Sequence, residues 1–185
     1  MPSEDNELAA RCKRGDRDAY AELAHRHRKT VYRVALAVLQ DHDEAEDVMQ
    51  EAFVRGFVGM ATFNLKYPFA DWIRRITVNC ALSRLRRQKR AVTGNTSETA
   101  TTAGGADPAE QAATTQFDQA VREAIEALPL RQRIALTLFA LEDMDLASTA
   151  KAMGCAVGTV KAHIHRGRQK LRHALAEYLD EDGLT

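Results

Sequence analysis

Cysteine, proline and aromatic residues are scarce in this chain of 185 residues. The three cysteines, Cys12, Cys80 and Cys155, are odd in number and far apart, which is not the pattern of a disulfide-bonded secreted domain. The N-terminus lacks the apolar run of a signal peptide. The apolar run 31–39 is interrupted by Arg33 and is too short to span a bilayer. We therefore expect a reduced, cytoplasmic protein with no membrane insertion.

Motifs of catalysis, cofactor binding and metal binding are also missing. The sequence has no glycine-rich loop that could cradle a phosphate, no nucleophile motif and no pair of carboxylates in an apolar setting. His25 and His27 are two residues apart and so lie on different faces of a helix, and Cys12 is not part of a CxxC pair. Zinc binding by these three side chains is the weaker alternative, so we expect no enzyme, no cofactor and no metal.

Helix-forming residues are abundant instead. Proline occurs only four times, and the frequent Ala, Leu, Arg and Glu favour helices throughout. Residues 91–116 are small and polar, with no apolar period, which is typical of a flexible linker. We predict an all-α protein of two small helical domains, 1–90 and 117–185, joined by this linker. The C-terminal domain is predicted to be a four-helix unit that contains a helix-turn-helix.

The charges balance to a formal net charge of zero, but they are arranged in blocks. Segment 41–51 holds six acidic residues and no Lys or Arg, whereas segment 74–90 holds seven basic residues and no acid. Acids at the start of a helix stabilise its dipole by a few tenths of a kcal/mol each. Six acids repel one another more than capping requires, so the acidic helix predicted over 43–59 also indicates a basic protein partner. The residues predicted to face inward on this helix are Val48, Met49, Ala52, Phe53 and Phe57.

A loop, 61–71, leads into a basic helix. Pro68 disfavours helix at the residue before it. The apolar stripe of the following helix comprises Phe69, Trp72, Ile73, Ile76, Cys80 and Leu85, and its opposite face carries Arg74, Arg75, Asn79, Ser83 and Arg86. Aromatic and amide groups beside a basic helix could hold an unpaired DNA strand, with cations on phosphates and stacked or captured bases. Because Phe69 and Trp72 are expected in the core, stacking depends on Phe63 and Tyr67.

The stretch 146–173 is predicted to form two helices joined by a tight turn at Gly154, which can adopt the left-handed conformation. Val160 and Ile164 belong to the buried stripe of the second helix. No acidic residue occurs from 146 to 176, so the outward face suits phosphate. The side chains predicted to be exposed on this face are Thr159, Lys161, Ala162, His165 and Arg166. A helix-turn-helix presents its second helix to the DNA major groove in this way, although a basic helix can also be merely a solvated surface.

These segments, in this order and spacing, resemble the extracytoplasmic-function (ECF) sigma factors of the sigma-70 family. DHDEAEDVMQEAFVRGF is similar to the helix of that family that binds core polymerase, and FADWIRRITVNCALSRLRRQKR to its minus-10 recognition helix. The stretch from ALPLRQR to HRGRQKLR is similar to domain four. Ser83 departs from the pattern, since many relatives have Asp there, and segment 142–148 lacks the usual Gly and acidic pair.

The resemblance implies a dissociable transcription initiation factor that directs core RNA polymerase to specific promoters. The residues that match its core-binding face are Asp47, Gln50 and Glu51. The residues that match its minus-10 contacts are Asn64, Lys66 and Tyr67, in the loop that captures a flipped base, and Arg74, Arg75, Asn79 and Arg86. The residues that match its minus-35 contacts are Thr159, Lys161, Ala162, His165, Arg166 and Arg168. The implied partners are core RNA polymerase, promoter DNA and an anti-sigma factor. The alternative is a stand-alone helix-turn-helix regulator that binds duplex DNA without polymerase.

Overall fold

A computed structural model of the chain describes residues 4–94 and 116–181. No strand occurs among these residues, which confirms the all-α prediction. The chain divides into two compact units, one within Met1–Thr102 and the other within Ala103–Thr185. Most of the predicted linker, 91–116, lies outside the described residues: the last helix of the first unit continues to Gly94, and the next helix begins at Gln116.

Within residues 4–94, the first unit has four α-helices. They are α1 (Glu4–Lys13), α2 (Arg17–Leu39), α3 (His42–Gly59) and α4 (Phe69–Gly94), with a 3-10 turn, Met60–Thr62, after α3. In the sequence, Asp16 predicts a cap for a helix that begins at Arg17, and the structure confirms it, because Asp16 Oδ1 accepts a hydrogen bond from Ala19 N at 3.0 Å. Asp41 caps α3 in the same way, with 2.8 Å from its Oδ1 to Glu44 N. Short acidic side chains therefore set both helix starts.

The core of the first unit lies where α2, α3 and α4 meet. Its fully buried large side chains are Leu23, Val31, Val34, Val38, Val48, Phe63, Phe69, Ile73 and Val78. Tyr20 adds a polar contact, since its hydroxyl donates to Phe53 O at 2.5 Å, and its burial raises the pKa of that hydroxyl. A Cβ at Gly56 would lie 2.7 Å from the Tyr20 oxygen, so glycine permits this close approach of α2 and α3. The inward position predicted for Phe57 is wrong, because its side chain is 47% exposed.

The second unit is a helical cluster around α8. Its helices are α5 (Gln116–Glu126), α6 (Leu130–Leu136), α7 (Leu146–Met153), α8 (Val157–Ala174) and the short α9 (Ala176–Glu181), with a π-helical turn, Thr137–Leu141, after α6. Ile134, Leu138 and Val160 are fully buried in its core. Gly167 lets α6 and α8 approach, since a Cβ there would lie 2.6 Å from Leu136 Cδ1. The four predicted helices are present, and α9 follows them.

Helices α7 and α8 form the predicted helix-turn-helix. Asp145 caps α7 by accepting from Ala147 N at 2.7 Å and Ser148 N at 2.8 Å. The hydrogen bonds from Ser148 hold the pKa of the Asp145 carboxyl below its usual value. Gly154 ends α7 in the left-handed conformation, with φ +62°, as the sequence predicts. Arg131 donates to Met153 O at 3.0 Å and so fixes α6 to the end of α7.

Gly154→Ala should destabilise the second unit by about 1–2 kcal/mol, because an L side chain is strained in the left-handed conformation. Gly158→Ala is the matched control: Gly158 lies in α8 with open space around its Cα, so alanine should stabilise the unit by about 0.5–1 kcal/mol. Urea unfolding followed by far-ultraviolet circular dichroism measures both changes. Trp72, the only tryptophan, reports on the first unit, so its fluorescence transition should not move. A Gly154→Ala variant as stable as the parent would contradict the prediction.

Candidate nucleic-acid and protein interfaces

The acidic helix α3 exposes Asp47 and Gln50 and leaves Glu51 half-buried. Its acids are partly neutralised within the unit by α4. Arg84 forms ion pairs with Glu44 and, at 3.0 Å, with Asp47. The hydrogen bond with Glu44 is the main reason that the pKa of Arg84 is raised. Glu51 lies near Arg55 of its own helix and 3.9 Å from Arg87 of α4. The sequence predicts that these acids cap the helix or contact a protein partner. The structure shows a third role, because they also pair α3 with α4.

Apolar side chains extend the exposed face of α3 beyond the acids. Val54 is 64% exposed and Val58 is 77% exposed, and Phe57 beside them is also in solvent. Residues 47, 50, 54 and 58 share one face of the helix because they are three or four positions apart. Acidic residues repel phosphate, and exposed apolar residues in a group mark protein contacts. This face therefore suits a protein partner and not nucleic acid.

The loop between Thr62 and Phe69 presents Asn64, Lys66 and Tyr67 to solvent. Asn64 Oδ1 accepts from Lys66 N at 3.0 Å, and Tyr67 N donates to Asn64 O at 3.1 Å, so Asn64 shapes the turn that carries the other two side chains. Tyr67 is 54% exposed and can stack on a base. The expectation that Phe63 also stacks is wrong. Its ring is buried, with its centroid 4.9 Å from that of Trp72.

Helix α4 separates its four predicted contact residues into two sets. Arg75, Asn79 and Arg86 are exposed, and spacings of four and seven residues place them on one face. Arg86 donates to Ser83 Oγ at 3.1 Å. Arg74 is on a different face: its side chain is 13% exposed and forms an ion pair with Asp71 at 3.1 Å. The structure therefore brings three of the four together on the outer face of α4 and places Arg74 in a structural pair.

Helix α8 exposes five of its six predicted contact residues. Thr159, Lys161, His165, Arg166 and Arg168 are in solvent, and Ala162 is half-buried. At 3.6 residues per turn, Lys161, His165 and Arg168 lie along one side of the exposed surface, and Thr159 and Arg166 along the other. The Arg168 guanidinium carbon lies 5.8 Å from the centroid of the Phe139 ring, so packing as well as charge holds this side chain.

Metal binding and membrane insertion gain no support from the described part of the chain. Among residues 4–94 and 116–181, no cluster of three or more His, Cys, Asp or Glu side chains could hold a metal ion. His27, considered above as a zinc ligand, contacts Asp5 through its Nε2 at 2.8 Å. Within the same residues, no helix has the length and apolarity needed to cross a membrane.

Contacts from α1 are the part of this surface that sequence patterns do not predict. Asn6 and Lys13 donate hydrogen bonds to main-chain carbonyls of the loop that carries Asn64 and Tyr67. The nearest signals are indirect: α1 has acids in its first turn and basic residues in its last turn, and only Ala9 among its side chains is fully buried. So short and weakly apolar a segment predicts a helix poorly, and nothing local indicates its partner.

Comparison with known proteins decides the family. The family model described as Sigma-70 region 2 matches residues 23–91, and the one described as Sigma-70, region 4, matches residues 118–171. The ECF RNA polymerase sigma factor SigM of Mycobacterium tuberculosis (strain ATCC 25618 / H37Rv) is 32% identical over 171 residues, which cover 92% of this chain and 84% of that protein. The chain belongs to the ECF sigma factors of the sigma-70 family. It is a member of a family of transcription initiation factors, and not an enzyme.

Two further comparisons extend over most of this sigma factor. The ECF RNA polymerase sigma factor SigW of Bacillus subtilis (strain 168) is 29% identical over 174 residues, covering 89% of this chain and 93% of SigW. The solved structure of the sigma factor RpoE in complex with the anti-sigma factor NepR from Bartonella quintana is similar with a TM-score of 0.67 and 25% identity, covering 80% of this chain and 91% of that one. Sequence and fold therefore agree on the family.

Phe63→Ala should lower the free energy of unfolding of the first unit by about 3–5 kcal/mol, because it empties a buried aromatic site. Tyr67→Ala, four residues away, should change it by less than about 0.5 kcal/mol because its ring is in solvent. Phe63→Leu, which keeps most of the volume, should cost less than about 1.5 kcal/mol and allows a measurement if the alanine variant does not fold. Urea unfolding followed by Trp72 fluorescence tests all three. Equal effects at 63 and 67 would show that the two rings are not core and surface respectively.

Proposed function

We propose that this sigma factor binds core RNA polymerase through its first unit, directs it to promoters with minus-10 and minus-35 elements, and is regulated by an anti-sigma factor. The observation that carries the proposal is the separation of charge on the described surface. One mixed acidic and apolar face lies on α3, and two cationic faces lie on α4 and α8. A chain with no net charge can in this way engage both a protein and DNA.

In this proposal, residues 1–90 are sigma domain two, residues 117–185 are sigma domain four, and 91–116 form the linker. The α3 face contacts core polymerase through Asp47, Gln50 and Glu51. Val54 and Val58 add apolar area to this contact, which the acids alone could not supply. The acids give the face its selectivity for a basic partner surface.

The minus-10 element is held as an unpaired strand by the loop and α4. Tyr67 offers a ring for a flipped base, and Asn64 and Lys66 surround it with polar contacts. Arg75, Asn79 and Arg86 follow the strand along the outer face of α4, where cations meet phosphates. Arg74 has a different part here, since its pair with Asp71 steadies the start of α4.

The minus-35 element is recognised as duplex by α8. In this proposal α8 lies in the major groove, and its two exposed flanks face opposite walls of that groove. Lys161, His165 and Arg168 are on one flank, and Thr159 and Arg166 are on the other. Ala162 lies between the flanks and can contact a thymine methyl group. The N-terminal half of the second helix is the part that a helix-turn-helix inserts most deeply.

An anti-sigma factor is the remaining partner of the proposal. The structural relative RpoE was solved with the anti-sigma factor NepR, which supports a similar partner for this chain. No enzyme activity, cofactor or metal enters the proposal, and we place its action in the cytoplasm.

The rival function is a stand-alone helix-turn-helix regulator that binds duplex DNA. The region 2 match over residues 23–91 and the acidic, apolar face of α3 favour the sigma factor, because a stand-alone regulator has no need of either. Co-elution of the purified chain with core polymerase separates the two. Transcription by that complex from a pool of random promoter fragments then yields the promoter sequence. A chain that binds duplex DNA but neither co-elutes nor transcribes would be the regulator.

Asp47→Lys should weaken core binding by about 10-fold or more, or about 1.4 kcal/mol, because it reverses a charge in the proposed interface. Glu46→Lys is the matched control, since it makes the same charge change one residue away but about 100° round the helix. It should change the affinity by less than about 5-fold. Fluorescence anisotropy with core polymerase gives both values, and circular dichroism checks helicity. An unchanged affinity for Asp47→Lys, or a loss of helicity, would leave α3 with a structural role only.

Arg166→Ala should weaken binding of the holoenzyme to its promoter in one of two ways. If Arg166 contacts a phosphate, the slope of log affinity against log salt falls by about one; if it contacts a base, about 1–3 kcal/mol is lost at one base pair. Arg172→Ala removes the same charge six residues, about 1.7 turns, nearer the end of α8 and should have the smaller effect. Titrations at several salt concentrations distinguish these outcomes, and equal losses at 166 and 172 would argue for a merely solvated basic helix.

A further inference from the structure

Helix α1 is bonded to the loop that carries the proposed base-capturing residues. Asn6 Nδ2 donates to Leu65 O at 2.9 Å, and Lys13 Nζ donates to Phe63 O at 2.7 Å. Asn6 and Lys13 are seven residues, about two turns, apart and therefore share one face of α1. Both bonds go to main-chain carbonyls and leave the loop side chains uncovered.

α1 is itself fixed to α2, so these bonds are made from a rigid support. Asp5 contacts His27 Nε2 at 2.8 Å, and Arg26 forms ion pairs with Glu4 at 3.0 Å and with Asp5 at 3.6 Å. Ala9, midway along α1, is fully buried. At the other end of α1, Arg11 pairs with Asp16, the residue that caps α2.

The hydrogen bonds that shape the turn of the loop are local: Lys66 N donates to Asn64 Oδ1, and Tyr67 N donates to Asn64 O. Phe63 and Phe69 are buried and fix its two ends, while residues 64–68 are exposed and lie outside any helix. The carbonyls at 63 and 65 point to α1, and the intervening Asn64 side chain stays in solvent with Lys66 and Tyr67. A flexible loop loses conformational entropy when it binds, and a loop that is already held in place loses less and therefore binds more tightly.

We infer that α1 is the element that positions the minus-10 loop for capture of an unpaired base. Asn6 and Lys13 are positioning residues that act through Tyr67 and Asn64, and they touch no DNA themselves. The inference deepens the proposed function and rests on it. Loss of either bond should lower open-complex formation and leave core binding unchanged, because α1 contacts the loop and not the exposed face of α3.

The test uses holoenzyme made with the full chain and a promoter fragment selected by the unaltered holoenzyme. Permanganate reactivity of unpaired thymines around minus-10 measures the opened fraction. Asn6→Ala should reduce the equilibrium constant for opening by about 2- to 12-fold, the range for one lost neutral hydrogen bond. Glu7→Gln, on the same helix, is the control and should match the unaltered chain. Lys13→Met should act like Asn6→Ala, and Lys13→Arg, which retains a donor and the charge, should restore opening.

A double-mutant cycle separates positioning from a general structural role. In a chain that already carries Tyr67→Ala, Asn6→Ala should have a clearly smaller effect than in the unaltered chain, because one of the two positioned side chains is gone. The salt slope of promoter binding should also be the same for Asn6→Ala and the unaltered chain. The inference is overturned if the two losses add, if core binding falls as much as opening, or if Asn6→Ala and Glu7→Gln behave alike. Failure of the unaltered chain to open any promoter would instead overturn the proposed function, and the inference with it.

Discussion

Helix α4 packs one face against α2 and α3 and leaves the opposite face in solvent, and the placement of every proposed contact in the first unit depends on that packing. Phe69, Ile73 and Cys80 are buried on the inner face, and the helical period then directs Arg75 and Asn79 outward. The arginines between these faces serve the fold. Arg84 holds Glu44 and Asp47 of α3, so the helix proposed to bind DNA also orients Asp47, one of the residues proposed to bind polymerase.

In the second unit, close packing of the helix proposed to bind DNA depends on a glycine. Gly167 allows α8 to pack closely on α6, with Leu136 occupying the space that a side chain would need. Arg133, also on α6, is buried and donates to the carbonyls of Glu126 and Leu128, at and just after the end of α5. Those bonds offset part of the cost of burying its charge, although burial still lowers the pKa of the guanidinium. Because the inner side of α8 is used for packing, its cationic side chains lie on the outer side, in solvent.

A charged side chain can either pair within its unit or remain available to a partner, and its exposure distinguishes the two cases. Arg74 and Arg75 are adjacent in sequence, yet one is covered and paired with Asp71 while the other is in solvent. Asp47 is paired and still largely exposed, so it can stabilise the unit and remain available to a partner. Exposed ion pairs contribute little to stability, which leaves room for such sharing. The loop shows the same principle, because its carbonyls at Phe63 and Leu65 accept hydrogen bonds from α1 while Asn64, Lys66 and Tyr67 stay in solvent.

The sequence by itself determined the helical class, the caps at Asp16 and Gly154, the helix-turn-helix and the outward position of most predicted contacts, since periodicity and capping involve residues within a few positions of one another. It could not determine that Phe63 is buried and Phe57 exposed. Phe57 fits the apolar stripe of its helix and Phe63 lies in a loop, so only the packing of other helices decides which ring is covered. The pair Arg84 with Asp47 spans 37 residues, and Asn6 with Leu65 spans 59. No local pattern encodes such contacts: they exist only once α1, α3 and α4 have packed, and they are the contacts that orient the proposed polymerase face and hold the proposed minus-10 loop.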